Sequence, residues 1–199
     1  VLLEDDLFRL RVFEVYHRGT ETFGFSFEEK ERRSFLAARA EALGIPAGPI
    51  RRDLVAGRAV SLPDGRTIQP DDVLGPAIAG ARLVFIGDAG RVDNLVEHVA
   101  GADLLAIEAT YTAEEQEVAA AFGHLTAGQA AWLAREAGVK HLVLHHISRR
   151  YSGRQILDEA TPIFPATSVA KDFDLFRVVK QKPLEREDVR QRPGEESPA

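Results

Sequence analysis

The stretch Leu83-Val84-Phe85-Ile86-Gly87-Asp88 places four apolar residues directly before a glycine and a carboxylate. Two later runs have the same arrangement: Leu104 to Ile107 ends at Glu108, and His141 to His145 ends at His146. Short continuous apolar runs are typical of strands buried on both faces of a sheet. Predicted helices lie between them, and predicted strands and hairpins precede them. The order indicates an α/β fold with a mixed sheet covered by helices.

The residues that end these three strands are polar and chemically capable. Asp88, Glu108 and His146 should lie at one edge of the sheet, where open α/β folds bind ligands. Any one of them alone could be a turn residue or a cap. Together they combine metal-ligand and acid–base side chains, since Asp and His are common ligands of zinc and similar ions. Two further histidines lie beside predicted elements. His17 follows a predicted strand, and His124 precedes a predicted helix.

Composition excludes several classes of protein. The chain has 199 residues, 45% hydrophobic and 28% charged, as in an ordinary soluble globular protein. It has no Cys, which excludes a disulfide scaffold, a Cys-ligated zinc site and a Cys nucleophile. No apolar run reaches the roughly 20 residues of a membrane span, so we expect a cytoplasmic protein without membrane contact. The chain has no Met and opens Val1-Leu2-Leu3, so we expect a fragment or a processed chain.

Charge is unevenly distributed along the chain. From Lys30 to Arg58 there are seven basic and three acidic residues, a local charge of +4 in a chain whose net charge is −6. This segment is either a solvated helix face with a loop or a patch for a polyanion.

A set of short motifs occurs in one order from about His17 to Phe176. They are Phe23-Gly24-Phe25, Leu43 to Pro49, Asp64 to Ile68, Gly87-Asp88-Ala89, Ile107 to Thr110, Gly123 to Ala131, His146 to Tyr151, and Phe164 to Thr167 with Ala170 to Phe173. In these motifs the chain resembles ribonuclease Z, the tRNA 3′-processing endonuclease of the metallo-β-lactamase superfamily.

The resemblance implies an αββα sandwich with two divalent metal ions, usually zinc, at one sheet edge. The family's His-x-His-x-Asp-His motif, which supplies most of the ligands, does not occur in this chain. We therefore expect the C-terminal part of such a domain at residues 1–179, with a protruding arm at about 29–58. Residues 180–199 are charged and lack core residues, which predicts a disordered tail. Alone, this part should bind metal poorly and cleave nothing.

The resemblance also implies roles for five residues. Asp88 matches the carboxylate that bridges the two metals, and His17 and His146 match histidine ligands. Glu108 and His124 match the pair that assists proton transfer to the leaving oxygen.

Four further residues are predicted to bind substrate. Ser148 and Arg150 closely follow the last ligand and could contact phosphate oxygens, although hydrogen bonding within the loop is an equally good interpretation. Arg51 and Arg52 lie in the +4 segment beside the glycine-proline motif, which matches the arm that grips the body of tRNA.

The expected function is therefore removal of the 3′ trailer from a tRNA precursor, by a water activated between two metal ions. The family is typically dimeric, which implies a homodimer. Two alternatives stay open. One is a small-molecule phosphodiesterase or sulfatase of the same superfamily. The other is a non-catalytic RNA-binding half, which would hold if no metal motif preceded Val1.

Overall fold

The computed structural model describes residues 1–180 and 182–191, and its chain divides into two compact units. Unit 1 combines Val1–Lys30 with the described residues from Ala81 onward, and unit 2 is Glu31–Gly80. None of the helices in the described part of the chain is both long and apolar enough to traverse a bilayer.

The strands of the described residues are short and numerous. In chain order they are β1 (Leu3–Glu4), β2 (Phe8–His17), β3 (Thr20–Glu29), β4 (Arg32–Phe35), β5 (Val60–Ser61), β6 (Thr67–Ile68), β7 (Leu74–Ile78), β8 (Arg82–Ile86), β9 (Leu104–Glu108), β10 (Leu142–His145), β11 (Thr167–Val169), β12 (Asp174–Arg177) and β13 (Glu185–Asp188). The helices are α1 (Ala37–Ala42), α2 (Pro49–Val55), α3 (Pro70–Val73), α4 (Val96–Val99), α5 (Gln116–Phe122), α6 (Ala127–Glu136) and α7 (Gly153–Ala160), with 3₁₀ turns at Ala113–Glu115 and Val189–Gln191.

The main sheet of unit 1 is mixed, as predicted. Its seven strands follow the order β1-β2-β3-β8-β9-β10-β11. Strands β8 to β11 are parallel, whereas β3 is antiparallel to both β2 and β8. Strand β2 therefore runs in the same direction as β8, β9 and β10. All four end at the same edge of the sheet, which becomes important for the site.

One face of this sheet carries the core of unit 1. The inward residues of β8 and β9, such as Val84, Ile86 and Ile107, form one buried cluster with Leu95 before α4 and Leu133 of α6. Helix α6 begins with a capping box, in which the Thr126 hydroxyl accepts a hydrogen bond from the Gln129 amide. The alternation of side chains across each strand places these inward residues on the same face.

The opposite face of the sheet is apolar and exposed. Val12, Phe23, Phe25 and Phe85 are between 38% and 51% exposed, and they project from the neighbouring strands β2, β3 and β8. We call these four residues the bare face. Contiguous exposed apolar patches of this kind mark interaction surfaces.

Unit 2 is larger than the arm predicted at 29–58. Strand β4 pairs with β7 and β5 pairs with β6, so the chain returns only at Gly80. Unit 2 has a buried cluster of its own, made of Ala40, Ile45, Leu54, Leu62, Ile68 and Val73. Pro49 starts α2 at a position where its missing N–H is not needed.

Part of the predicted disordered tail is ordered. Strand β13 pairs with β12, and Arg186 forms an ion pair with Asp174 at 2.5 Å. This strand is charged and buries no core, so hydrophobic patterning did not predict it. It is held by the backbone ladder and by cross-strand ion pairs. Gln181 and residues 192–199, which belong to the same prediction, lie outside the described residues.

Candidate active site

Four strands of unit 1 deliver polar residues to one edge of the sheet. His17 is the last residue of β2 and Glu108 is the last residue of β9, while Asp88 and His146 follow the ends of β8 and β10. Because these strands run in the same direction, their ends meet. The direction of β2 explains how His17, which is far away in sequence, reaches the others.

The side chains of this edge form a compact cluster. Nε2 of His17 lies 3.8 Å from Oδ2 of Asp88, and Nε2 of His146 lies 3.4 Å from Oδ1. The His124 ring is centred 5.0 Å from the His17 ring and 5.4 Å from the His146 ring. The structure thus brings together the three residues predicted as metal ligands, and the His124 ring lies beside them.

The donor set fits a divalent metal ion. One ligand atom each from His17, Asp88 and His124 lies within 4.8 Å of the others. Two ligands of a tetrahedral zinc ion are about 3.3 Å apart when each is about 2.0 Å from the metal. The separations of 3.4 and 3.8 Å between Asp88 and its two histidines are close to that value and too long for direct hydrogen bonds.

A hydrogen bond to the ring nitrogen remote from Asp88 fixes the orientation of His17. Its Nδ1 donates a hydrogen bond to the Gly123 carbonyl oxygen at 2.7 Å, which leaves Nε2 directed at Asp88. A backbone carbonyl on the remote nitrogen is a common way to fix the tautomer of a metal-ligating histidine. Gly123 has a φ of 76°, in the left-handed region that favours glycine.

Glu108 is fully buried and accepts five hydrogen bonds. Its Oε1 accepts from the Ala89 amide at 2.7 Å and from His124 Nδ1 at 2.8 Å. Its Oε2 accepts from the Thr110 hydroxyl at 2.6 Å, and from the Thr110 and Leu125 amides at 3.3 and 3.2 Å. Only an ionised carboxylate can accept at both oxygens in this way. Glu108 therefore links the loop after β8 to the loop that carries His124.

The two adjacent histidines at the end of β10 point in different directions. His146 has a φ of 54°, a conformation that costs free energy for a non-glycine residue and is found at functional sites. His145 stacks on Phe85 and donates from Nε2 to the Ile86 carbonyl oxygen. Burial lowers the pKa of His145. As side-chain alternation predicted, only His146 joins the cluster.

The residues predicted to bind phosphate near the last ligand have partners of their own. Nη1 of Arg150 forms an ion pair with Glu115 at 2.7 Å, and Tyr151 also donates to that carboxylate. The Ser148 hydroxyl accepts a long hydrogen bond of 3.4 Å from the Arg150 amide. The Ser148 contact is hydrogen bonding within the loop, whereas Arg150 pairs with the separate 3₁₀ turn that carries Glu115. Substrate binding by Ser148 and Arg150 stays a prediction.

The two predicted arginines of unit 2 differ in their surroundings. Arg51 donates to the carbonyl oxygens of Ile45 and Pro46 and lies over the Phe35 ring. Arg52 is exposed and has no side-chain hydrogen bond or ion pair to any described residue. Arg51 thus supports the turn before α2, and Arg52 is the one of the pair that is free for a ligand.

Sequence reasoning missed the residues that hold the site without chemistry of their own. Thr110 and the amides of Ala89 and Leu125 surround Glu108. Glu159 of α7 accepts from the amides of Ala113 and Gly128, on either side of the His124 loop. A single sequence carries no signal for backbone donors. It also does not distinguish a glutamate that binds loop amides from one that is exposed to solvent on a helix.

Comparison with known proteins assigns the fold. Residues 53–147 match the model of the beta-lactamase superfamily domain. The metallo-beta-lactamase fold protein YhfI from Bacillus subtilis superposes with a TM-score of 0.54 and 16% identity, covering 85% of this chain and 48% of that one. Human tRNase Z, short form, superposes with a TM-score of 0.50 and 23% identity, covering 86% and 44%. The chain has the metallo-β-lactamase fold, as the motifs predicted.

Sequence comparison finds relatives named ribonuclease Z or ribonuclease BN. Ribonuclease Z of Bradyrhizobium sp. (strain ORS 278) is 48% identical over 177 residues, 89% of this chain and 59% of that protein. Ribonuclease Z of Ligilactobacillus salivarius is 40% identical over 182 residues, and Ribonuclease BN of Escherichia coli (strain K12) is 37% identical over 181. The chain is a homologue of ribonuclease Z, which confirms the resemblance, and it spans 59%, 57% and 59% of the length of these relatives.

Proposed function

We propose that the protein carrying this chain is a metal-dependent phosphodiester hydrolase that removes the 3′ trailer from tRNA precursors. The observation that carries the proposal is the meeting of Asp88 with three histidines at one sheet edge, directly beside the buried Glu108. Homology to ribonuclease Z supports the choice of tRNA as substrate.

In this proposal His17, Asp88 and His146 hold divalent metal ions. By analogy with the family, there are two ions and both are zinc. Bound divalent ions supply positive charge for the phosphodiester oxygens and lower the pKa of water. Asp88 suits a shared position because its two oxygens face different histidines, one toward His17 and the other toward His146.

The proposed proton donor to the leaving 3′ oxygen is Nε2 of His124. Its Nδ1–H is held by Glu108, so the ring cannot rotate and Nε2 faces the cluster. Histidine is a common general acid, and the adjacent carboxylate orients this ring for that role. Glu108 itself is inaccessible to substrate, because it is fully buried and its oxygens are occupied.

Substrate recognition is proposed to involve unit 2, including the predicted arm. Its exposed Arg52 lies in the segment of +4 charge, and contacts of this kind bind phosphates without reading sequence. Assembly as a homodimer, which the family resemblance implies, and a cytoplasmic location, which is expected from the sequence, remain predictions.

The direct test compares two substrates with the full-length protein that carries this sequence. We expect cleavage of a tRNA precursor at its 3′ side and hydrolysis of bis(p-nitrophenyl) phosphate, both abolished by a chelator and by Asp88→Ala. Hydrolysis of the small phosphodiester without cleavage of the precursor would favour a small-molecule phosphodiesterase. Precursor binding without any hydrolysis would favour the non-catalytic alternative.

Metal binding by the 199-residue chain can be tested separately. We expect weak zinc binding by calorimetry, which His146→Ala reduces further. His141→Ala is the matched control, because His141 directly precedes β10 whereas His146 directly follows it, so the two lie at opposite ends of the strand. Equal effects of the two substitutions would contradict the assignment of His146.

A further inference from the structure

An arginine and an exposed aromatic ring form a pair at the rim of the His/Asp cluster. Arg18 directly follows His17, and Phe122 lies two residues before His124. The guanidinium carbon of Arg18 lies 5.4 Å from the centroid of the Phe122 ring, which is 50% exposed. The pair therefore joins the two loops that carry these site histidines.

The backbone around this pair is adapted to it. Arg18 has a φ of 42°, an unfavourable conformation for a residue with a Cβ. A Cβ at Gly123 would lie 2.4 Å from Cγ and 3.2 Å from the amide nitrogen of Arg18, so only glycine leaves room for the arginine stem. The glycine that fixes the tautomer of His17 through its carbonyl oxygen thus also seats Arg18.

The charge of Arg18 is not neutralised by a nearby carboxylate. Among the residues the structure describes, no Asp or Glu forms an ion pair with it, whereas Arg150 and Arg154 pair with Glu115 and Asp158. In a chain with a net charge of −6, an arginine without a carboxylate partner next to this cluster is available to bind an anion.

We propose that Arg18 binds a phosphate of the RNA strand next to the scissile phosphodiester, and that Phe122 positions its guanidinium. The proposal rests on the function proposed above and assigns a substrate-contacting residue to that site. All five N–H donors of a guanidinium lie in its plane, so stacking one face on Phe122 leaves the donor edge free for two phosphate oxygens. Stacking also restricts the rotamers of a long side chain before RNA arrives.

Equilibrium binding tests the contact without requiring catalysis. A fluorescently labelled single-stranded RNA is titrated into the full-length protein in the presence of a chelator, at several salt concentrations. We expect Arg18→Ala to weaken binding several-fold and to reduce the slope of log K against log salt by about 0.7, the value for one phosphate contact on a single strand. Phe122→Leu should weaken binding with the slope retained, because the charge remains.

Arg154→Ala is the matched control, since this exposed arginine already pairs with Asp158 on α7. It should leave both affinity and slope unchanged. An Arg18→Ala variant with the affinity and slope of the unmodified protein would overturn the proposal. A loss of affinity with no change in slope would also overturn it, because it would indicate a structural role.

Cleavage assays distinguish a phosphate contact made by Arg18 from a role of Arg18 in supporting His17. Arg18→Ala should raise KM for the tRNA precursor, and its loss of kcat/KM on the precursor should exceed its loss on bis(p-nitrophenyl) phosphate by about tenfold. The small substrate has no neighbouring phosphate to bind. Equal losses on both substrates would mean that Arg18 acts through His17. If the unmodified protein cleaves neither substrate, the proposed function fails, while the binding experiment still decides the role of Arg18.

Discussion

Replacing Glu108 with Gln is the most informative single change in the site, because it alters charge and hydrogen bonding with almost no change in shape. All five groups around the carboxylate donate to it. An amide has one oxygen and one NH₂ group, so the NH₂ must face donors whichever way it is placed.

The magnitude follows from the two possible orientations. With NH₂ in the place of Oε2, the amides of Thr110 and Leu125 both lose their acceptor, at about 1–3 kcal/mol for each buried orphaned donor. With NH₂ in the place of Oε1, the Ala89 amide is orphaned, but His124 can adapt by moving its proton from Nδ1 to Nε2. The second orientation costs less, so we expect a loss of about 1–3 kcal/mol and an inverted His124 tautomer.

Urea denaturation measures the first effect and ¹⁵N NMR of the histidine rings measures the second. Glu136→Gln is the matched control, because its side chain is 43% exposed and its ion pair is with the neighbouring Arg135. The full-length Glu108→Gln protein should also lose hydrolytic activity, since His124 could no longer be held as a doubly protonated donor. Unchanged stability together with an unchanged tautomer would refute the assignment of Glu108 as an ionised acceptor.

Further predictions concern packing at Gly24, the two predicted arginines of unit 2 and the bare face. A Cβ at Gly24 would lie 2.4 Å from the ring of Phe13, so Gly24→Ala should lower the free energy of unfolding by about 1–3 kcal/mol; Gly87→Ala, whose Cβ meets nothing within 4 Å, is the control, and equal effects would contradict the argument. Arg51→Ala should destabilise unit 2, because its guanidinium donates to two loop carbonyls, whereas Arg52→Ala should weaken tRNA binding at unchanged stability; full tRNA affinity in the second variant would exclude it from the arm contact. The 199-residue chain should bind a hydrophobic dye at the bare face, with a signal that falls when one of its phenylalanines becomes lysine; an unaffected signal would place the dye elsewhere.

The sequence predicted the parts of the fold that depend on continuous apolar runs. Strands β8, β9 and β10 lie within a residue or two of their expected positions, because continuous apolar runs carry a strong local signal. The small core of unit 2 was missed, since its residues are separated by polar positions and by short elements such as β5 and β6. Strand β13 was missed because charged residues carry no hydrophobic periodicity.

The site was predictable to a similar extent and for a related reason. Strand ends are visible in sequence, so Asp88, Glu108 and His146 could be assigned to one edge before the structure was known. The approach of His17 depends on the antiparallel pairing of β3 with both of its neighbours, which no local pattern encodes. The family resemblance supplied that information.

The two carboxylates of the site acquire different chemistry from their surroundings. Glu108 is fully buried, and its five donors leave neither oxygen free for a metal ion. The side chain of Asp88 is 39% exposed, and its two oxygens lie 3.8 Å from His17 and 3.4 Å from His146, distances that suit a shared ion. Exchanging the two functions would require removing the backbone donors around Glu108, which no single substitution can do. The assignment of Asp88 to metal and Glu108 to the orientation of His124 is therefore built into the loops rather than into residue type.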